Sequence, residues 1–147
     1  MQFARLIPLA ILLSAAASAH AIYFKSVGDA PAVLYDAPSL RGIKKFVAPR
    51  QMPLEVVLTY GEWSKVRDAS GDLLWLESRA LSSKRTVVAN VASLKVRTAA
   101  EDGATVMFSA DKGVLLELSA PAAAGWVKVR HRDGQAGYAK AAEVWGE

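Results

Sequence analysis

The sequence predicts an all-β protein in which two small β-barrels follow one another along the chain. An internal repeat carries most of this prediction, because Trp63–Arg67 (WSKVR) matches Trp126–Arg130 (WVKVR). Short apolar runs also alternate with Gly, Pro, Asp and Ser at the spacing of strands, and no stretch after Ala21 keeps a helical period. We therefore expect an N-terminal signal peptide, a first barrel and a second barrel, at residues 1–21, 22–83 and 84–147.

The first residues have the layout of a secretory signal peptide. A basic start containing Arg5 precedes an apolar run, Leu6–Ala17, and small residues follow. The run is shorter than the roughly 20 apolar residues that span a bilayer, although an uncleaved anchor is the alternative. A-x-A cleavage patterns end at Ala19 and at Ala21, and the second is favoured because a strand-like sequence begins at Ile22. We expect a periplasmic or secreted protein with no stable membrane insertion once the signal is removed.

Processing can be tested directly. The exported protein is expected to begin at Ile22 or, with the earlier cleavage, at His20, because these residues follow the two A-x-A patterns. Intact mass spectrometry of the periplasmic fraction measures the start. Recovery of a membrane-bound chain that retains Leu6–Ala17 would contradict the prediction.

The composition argues against several kinds of site. The chain has no cysteine, so disulfides and thiolate chemistry are excluded. Its net charge of +4 is well below that of a polybasic nucleic-acid binder, and export also argues against a nucleic-acid partner. No metal-ligand cluster or phosphate-binding glycine motif occurs, and His131 fits a hairpin end better than a catalytic base. We expect no enzymatic activity and no cofactor.

The strands of the two copies are predicted in the same order. They are, in the first copy, Ala32–Tyr35, Leu54–Leu58 and Trp63–Arg67 and, in the second, Leu94–Arg97, Val114–Leu118 and Trp126–Arg130. Asp133-Gly134 predicts a hairpin, and Asp68–Asp72 predicts a longer loop at the corresponding place. Glu77–Leu81 and Lys140–Val144 are each expected to form one tight helical turn. The short linker near Ser82–Arg85 predicts a fixed arrangement of the two barrels.

This order of parts resembles the bacterial SH3-like (SH3b) domain family. A copy in that family runs L-x-V-R, a hydrophobic strand, G-W-x-K-V, a hairpin, G-W-V and a final Leu. The second copy fits through Leu94–Arg97, Gly125–Val129, Gly137–Ala139 and Val144, and the first fits more loosely through Ala32–Tyr35, Trp63–Val66, Trp75–Leu76 and Leu81. The resemblance covers residues 24–147. It implies two tandem SH3-like barrels that bind ligands, often cell-wall material or peptides, rather than catalyse a reaction.

Strand parity predicts which side chains face outward. Successive side chains of a strand point to opposite faces, so Val66 and Val129 face the cores and the basic residues beside them face solvent. The aromatic rings then share the outer faces with those basic residues, an arrangement suited to peptides or sugars. The candidate ligand-binding residues are Tyr35, Trp63, Lys65 and Trp75 in the first barrel and Trp126 and Tyr138 in the second. The alternative is that these rings cover the barrel ends or pack between the barrels.

Two functions remain open from the sequence. One is an exported binding module for a peptide or cell-wall (peptidoglycan) glycan, and the other is a periplasmic adaptor or structural component whose partner is an envelope protein. A loop with Arg41, Lys44 and Lys45 in the first copy corresponds to one with Glu101 and Asp102 in the second. These loops can be ordinary solvated loops. Alternatively, the basic loop faces an anionic partner such as a cell-wall polymer, which favours the first barrel as the binding site.

Overall fold

The computed structural model describes residues 22–147, and the predicted signal peptide lies outside the described residues. Fourteen strands form two antiparallel sheets of seven strands each. None of the helices in the described part of the chain is both long and apolar enough to cross a membrane. We call residues 24–82 the first unit and residues 86–145 the second unit.

The first unit has seven strands and one 3-10 turn. The strands are β1 Phe24–Val27, β2 Ala32–Tyr35, β3 Lys44–Ala48, β4 Pro53–Tyr60, β5 Trp63–Arg67, β6 Leu73–Glu77 and β7 Leu81–Ser82. The 3-10 turn, Ser78–Ala80, separates the last two and confirms the predicted tight turn. Across the sheet the order is β3-β2-β6-β5-β4-β1-β7.

The second unit repeats this arrangement element for element. Its strands are β8 Thr86–Ala89, β9 Ser93–Arg97, β10 Val106–Asp111, β11 Leu115–Ala123, β12 Trp126–Arg130, β13 Ala136–Lys140 and β14 Val144–Trp145. The order β10-β9-β13-β12-β11-β8-β14 is that of the first sheet, and a 3-10 turn, Ala141–Glu143, again precedes the last strand. The structure therefore confirms the two predicted tandem copies.

The predicted all-β fold with two SH3-like units is confirmed, but neither sheet closes into a barrel. In each sheet the two end strands, β3 and β7 or β10 and β14, have no ladder between them, so both sheets are open. The last strand of each unit has only two residues, and both pair with the first strand of that unit. The short final strands bring the number of strands in each sheet to seven.

Each sheet buries one face around its own core. The first core comprises Val27, Ala32, Leu34, Ala48, Leu54, Val66 and Leu76. The second comprises Val87, Ala89, Leu94, Val96, Ala110, Leu116, Val127, Val129, Ala139 and Val144. Val66 and Val129 are almost fully buried, as strand parity predicted. Because each core draws on most strands of its sheet, each sheet must fold over itself to bury that face.

Turn chemistry fixes the hairpin that follows the tryptophan strand in each unit. Gly71 and Gly134 occupy corresponding positions with φ of 93° and 94°, a left-handed conformation that favours glycine. In the first unit, the carboxylate of Asp68 accepts backbone hydrogen bonds from Ser70 and Asp72, both at 3.0 Å. In the second, the backbone N–H of Gln135 donates to Asp133 and lowers the pKa of that carboxyl. The predicted hairpins are confirmed.

An aromatic contact joins the two units. Phe24 of β1 and Trp145 of β14 pack edge to face, with ring centroids 5.0 Å apart and planes at 85°. The guanidinium of Arg85, in the linker, lies 5.7 Å from the Phe24 ring centre and donates to the Gly146 carbonyl at 2.9 Å. The exposed fraction of Phe24 is therefore only 8%, although this residue begins the first strand.

Hydrogen bonds add to this contact near the linker. The Ser26 hydroxyl donates to the Lys84 carbonyl at 2.6 Å, and the Thr86 hydroxyl donates to the Gln51 carbonyl at 2.7 Å. Both hydroxyl-bearing residues are nearly fully buried, so these bonds satisfy groups that would be costly to leave unpaired. The first bond holds the linker against the first unit, and the second joins the two units directly.

Candidate functional site

Three adjacent strands of the first unit bring four predicted site residues together. Strands β2, β6 and β5 are neighbours in the sheet. Trp75 of β6 pairs with Tyr35 on one side and with Lys65 on the other. Trp63 lies two residues before Lys65 on the same face of β5. We call Tyr35, Trp63, Lys65 and Trp75 the first aromatic face.

The rings of the first aromatic face hold one another in place. Tyr35 and Trp63 pack edge to face, with centroids 5.5 Å apart and planes at 85°. The Lys65 ammonium lies 5.8 Å from the Trp75 ring centre, within the range of a cation–π contact. Trp63 and Trp75 are both partly exposed. The two indoles therefore present fixed, accessible surface beside a positive charge.

Another pair of rings makes an aromatic contact between the units. The aromatic contact there is made by Phe24 and Trp145, neither of which was a predicted site residue. Parity could not identify Trp145, because its partner comes from the other unit.

Tyr35 differs from the expectation that it lines an open groove. Its exposed fraction is 7%, so the ring is packed rather than available to a ligand. The Trp63 ring packs edge to face against the tyrosine ring and so reduces its exposure. Tyr35 thus supports the Trp63 ring through this contact instead of forming a binding surface itself.

Charged groups border the first aromatic face. Trp63 pairs across the ladder with Glu77, whose carboxylate bonds Arg79 at 3.2 Å. Behind the tryptophan, the buried Ser64 hydroxyl shares a 2.7 Å hydrogen bond with Ser78 in the 3-10 turn. This bond fixes the turn that carries Arg79 against the strand that carries Trp63. Both signs of charge are therefore held close to the rings.

The second unit has a related face with a different chemistry. Tyr138 pairs with Lys128 and with Arg97, so an arginine occupies the place that Tyr35 has in the first unit. Trp126 pairs with Lys140 where Trp63 pairs with Glu77. A pocket of about 220 Å³ is lined by Ser93, Lys95, Arg97, Trp126, Lys140 and Glu143. The sequence predicted Trp126 and Tyr138 as site residues but not Arg97. Arg97 could have been identified only from the pairing of β9 with β13, which places it opposite Tyr138.

The two charged loops behave differently. In the second unit, Asp102 bonds the Lys140 ammonium at 2.9 Å, which lowers the pKa of Asp102 and raises that of Lys140. In the first unit Arg41, Lys44 and Lys45 are exposed, and no ion pair among the described residues includes them. The acidic loop is therefore engaged with its own unit, whereas the basic loop is available to an anion.

Similarity to known proteins agrees with the repeat. A sequence model of the family described as bacterial SH3 domain matches residues 28–83 and 90–146. No curated protein matches the chain significantly. In each unit the first strand, β1 or β8, lies just before the matched segment, and the other six strands lie within it.

Two solved structures are also similar to the chain. NlpC1 from Trichomonas vaginalis matches with a TM-score of 0.41 and 14% identity, over 95% of this chain and 51% of that one. NlpC2 from the same organism matches with a TM-score of 0.39 and 10% identity, over 84% of this chain and 48% of that one. The chain thus spans about half the length of these two proteins.

Proposed function

The chain belongs to the bacterial SH3 domain family, and from that premise we propose that it is an exported, non-enzymatic protein that binds cell-wall peptide or glycan. Bacterial SH3 domains are binding modules. The observation that supports this proposal most strongly is the first aromatic face, where two partly exposed indoles lie beside Lys65 on adjacent strands.

The ligand class follows from the chemistry of that face. Indole rings offer flat apolar surface to sugar rings or to peptide side chains, and their N–H groups remain free to donate. Lys65 and the basic loop at Arg41–Lys45 favour a ligand that also carries negative charge. A peptidoglycan strand combines sugars with carboxylate-bearing peptides, which matches both features.

The first unit is proposed as the main binding unit. Its loop cations have no carboxylate partner among the described residues, whereas Lys140 of the second unit is engaged with Asp102. Binding at Trp126 would therefore compete with an ion pair that already exists, although an exposed pair of this kind is weak.

A protein–protein adaptor is the second candidate, and the edge of the first sheet favours it. Strand β3 is an end strand, and its Phe46 and Val47 side chains are exposed together with the nearby Ile43 and Leu40. An apolar edge strand can pair with an extended segment of another protein. An envelope protein is the partner that this candidate implies.

Replacement of Trp63 by alanine tests the proposed function. Trp63→Ala is expected to weaken binding to purified peptidoglycan sacculi by about 1–3 kcal/mol, because the ring is a central anchor of the face. Co-sedimentation with sacculi measures the binding, and thermal melting shows whether the protein stays folded. Trp126→Ala is the matched control and should change sacculus binding much less.

Two outcomes would contradict ligand binding at the first aromatic face. If Trp63→Ala lowers the melting temperature strongly and leaves sacculus binding of the folded fraction unchanged, Trp63 is a packing residue. If neither wild type nor variant binds sacculi while envelope proteins are retained on the immobilised chain, the adaptor function replaces the proposed one.

A further inference from the structure

A cleft of about 620 Å³ lies where the two units meet. The loop between β3 and β4 contributes Arg50 and Gln51, and the linker contributes Lys84. The remaining lining residues come from the second unit and are Val114, Leu115, Glu117, Arg130, His131, Arg132 and Gly134. The volume is that of a small-molecule site rather than of a single bound ion.

Positive charge dominates the lining of the cleft. Arg50, Arg130 and Arg132 all contribute to it, and no ion pair within the described residues includes any of the three. Glu117 supplies a carboxylate, but that carboxylate already bonds the Lys84 ammonium at 3.4 Å. His131 is likewise engaged, with its Nδ1 3.1 Å from the Asp133 carboxylate. Three guanidinium groups are thus left to meet a ligand.

The repeat shows how the second unit frees one of these groups. In the first unit, Glu55 pairs across the ladder with Arg67, and their side chains form an ion pair at 3.4 Å. The corresponding cross-strand pair in the second unit is Glu117 and Arg130. There the Glu117 carboxylate forms its ion pair with Lys84 of the linker instead. Arg130 consequently lacks the partner that its counterpart has.

We propose that this cleft binds a ligand that carries two or more closely spaced phosphate groups. The planar guanidinium fork matches phosphate oxygens in pairs and keeps its charge at all physiological pH values. A terminal phosphate group carries about −1.5 to −2 charges and three acceptor oxygens. A carboxylate carries one charge and two oxygens, so a ligand with several phosphates neutralises the three arginines more completely. This site is separate from the first aromatic face, and the inference does not depend on peptidoglycan binding.

Isothermal titration calorimetry, which measures the affinity of the full exported chain for tripolyphosphate, tests the inference. The double variant Arg130→Gln/Arg132→Gln is expected to bind about 100-fold more weakly than wild type, or about tenfold for each charged hydrogen-bonding group lost. Glu117→Gln is expected to bind several-fold more tightly, because it removes a carboxylate from the lining and releases Lys84. Citrate, a tricarboxylate, should bind more weakly than tripolyphosphate.

The matched control separates a site from general attraction between opposite charges. Arg41→Gln/Lys44→Gln removes the same charge from an exposed loop of the first unit and should leave tripolyphosphate affinity nearly unchanged. Equal weakening by both double variants, no measurable binding by wild type, or equal affinity for citrate would each overturn the inference. All variants change exposed or partly exposed side chains, so their melting temperatures should stay close to that of wild type.

A second arm distinguishes a soluble phosphate ligand from a lipid headgroup. Flotation with phosphatidylcholine vesicles, with and without cardiolipin, whose headgroup carries two phosphates, measures lipid binding. Because the arginines lie in a cleft between two units, the expected result is tripolyphosphate binding without flotation. Flotation that requires cardiolipin and is lost in Arg130→Gln/Arg132→Gln would assign the same phosphate site to a lipid.

Discussion

Val129→Asp is expected to unfold the second unit. Val129 is fully buried, and its ladder partners Leu118 and Gly137 offer no charged group to a carboxylate. A buried charge without a partner costs about 3–5 kcal/mol, which is comparable to the stability of a small domain. Heteronuclear NMR would show the loss as collapse of the dispersed amide signals of residues 86–145.

The neighbouring lysine provides the control for this prediction. Lys128 is exposed on the same strand, so Lys128→Asp introduces the same carboxylate on the opposite face and should shift stability by no more than about 0.5 kcal/mol. A Val129→Asp protein with wild-type spectra and an unchanged unfolding midpoint would refute the assigned strand register.

Trp145→Ala is expected to separate the unfolding of the two units. The substitution removes the ring that packs on Phe24 and exposes a residue that is otherwise buried. Loss of a large aromatic side chain from a packed contact costs about 3 kcal/mol, and units of about 60 residues have little stability to spare. Calorimetry should therefore show two transitions at lower temperature where the wild type shows one.

Gly146→Ala should also separate the unfolding of the two units, in this case through a steric clash. Gly146 has φ of 115°, and a Cβ placed there would lie 2.8 Å from Pro53 of the first unit. By contrast, Trp126→Ala removes an equally large ring from β12, where it pairs with Lys140 and not with Phe24, and should leave a single transition. If Trp145→Ala and Gly146→Ala both keep one transition at the wild-type temperature, the contact does not couple the units.

Local pattern was enough to predict much of the fold. The alternation of Ser64 and Val66 with Lys65 and Arg67 identified the buried face, because a charged side chain cannot enter an apolar core. The Asp133-Gly134 pair identified a hairpin, since glycine favours the left-handed backbone there. The same alternation placed Trp63, Lys65 and Trp75 on one outer face, where the structure brings them together.

Features that depend on distant partners could not be predicted in this way. Tyr35 is buried because the Trp63 ring, from a strand that β2 does not pair with, packs edge to face against it, and strand parity gives no information on such a contact. The pairing of Phe24 with Trp145 joins opposite ends of the described chain. The basic cleft needs Arg50 and Arg130 from different units. Whether a sheet closes depends on whether its two end strands pair, and the sequence pattern of a single strand does not show this.

Binding at the first aromatic face is the central claim, and the indole N–H signals of the four tryptophans test it most directly. Each tryptophan reports on a different place, since Trp63 and Trp75 form the face, Trp126 lies in the second unit and Trp145 lies between the units. Titration with soluble peptidoglycan fragments, followed by heteronuclear NMR, should shift the Trp63 and Trp75 signals and leave Trp145 unmoved. Saturating fragments that leave Trp63 and Trp75 unmoved, or that shift Trp145 alone, would contradict the claim.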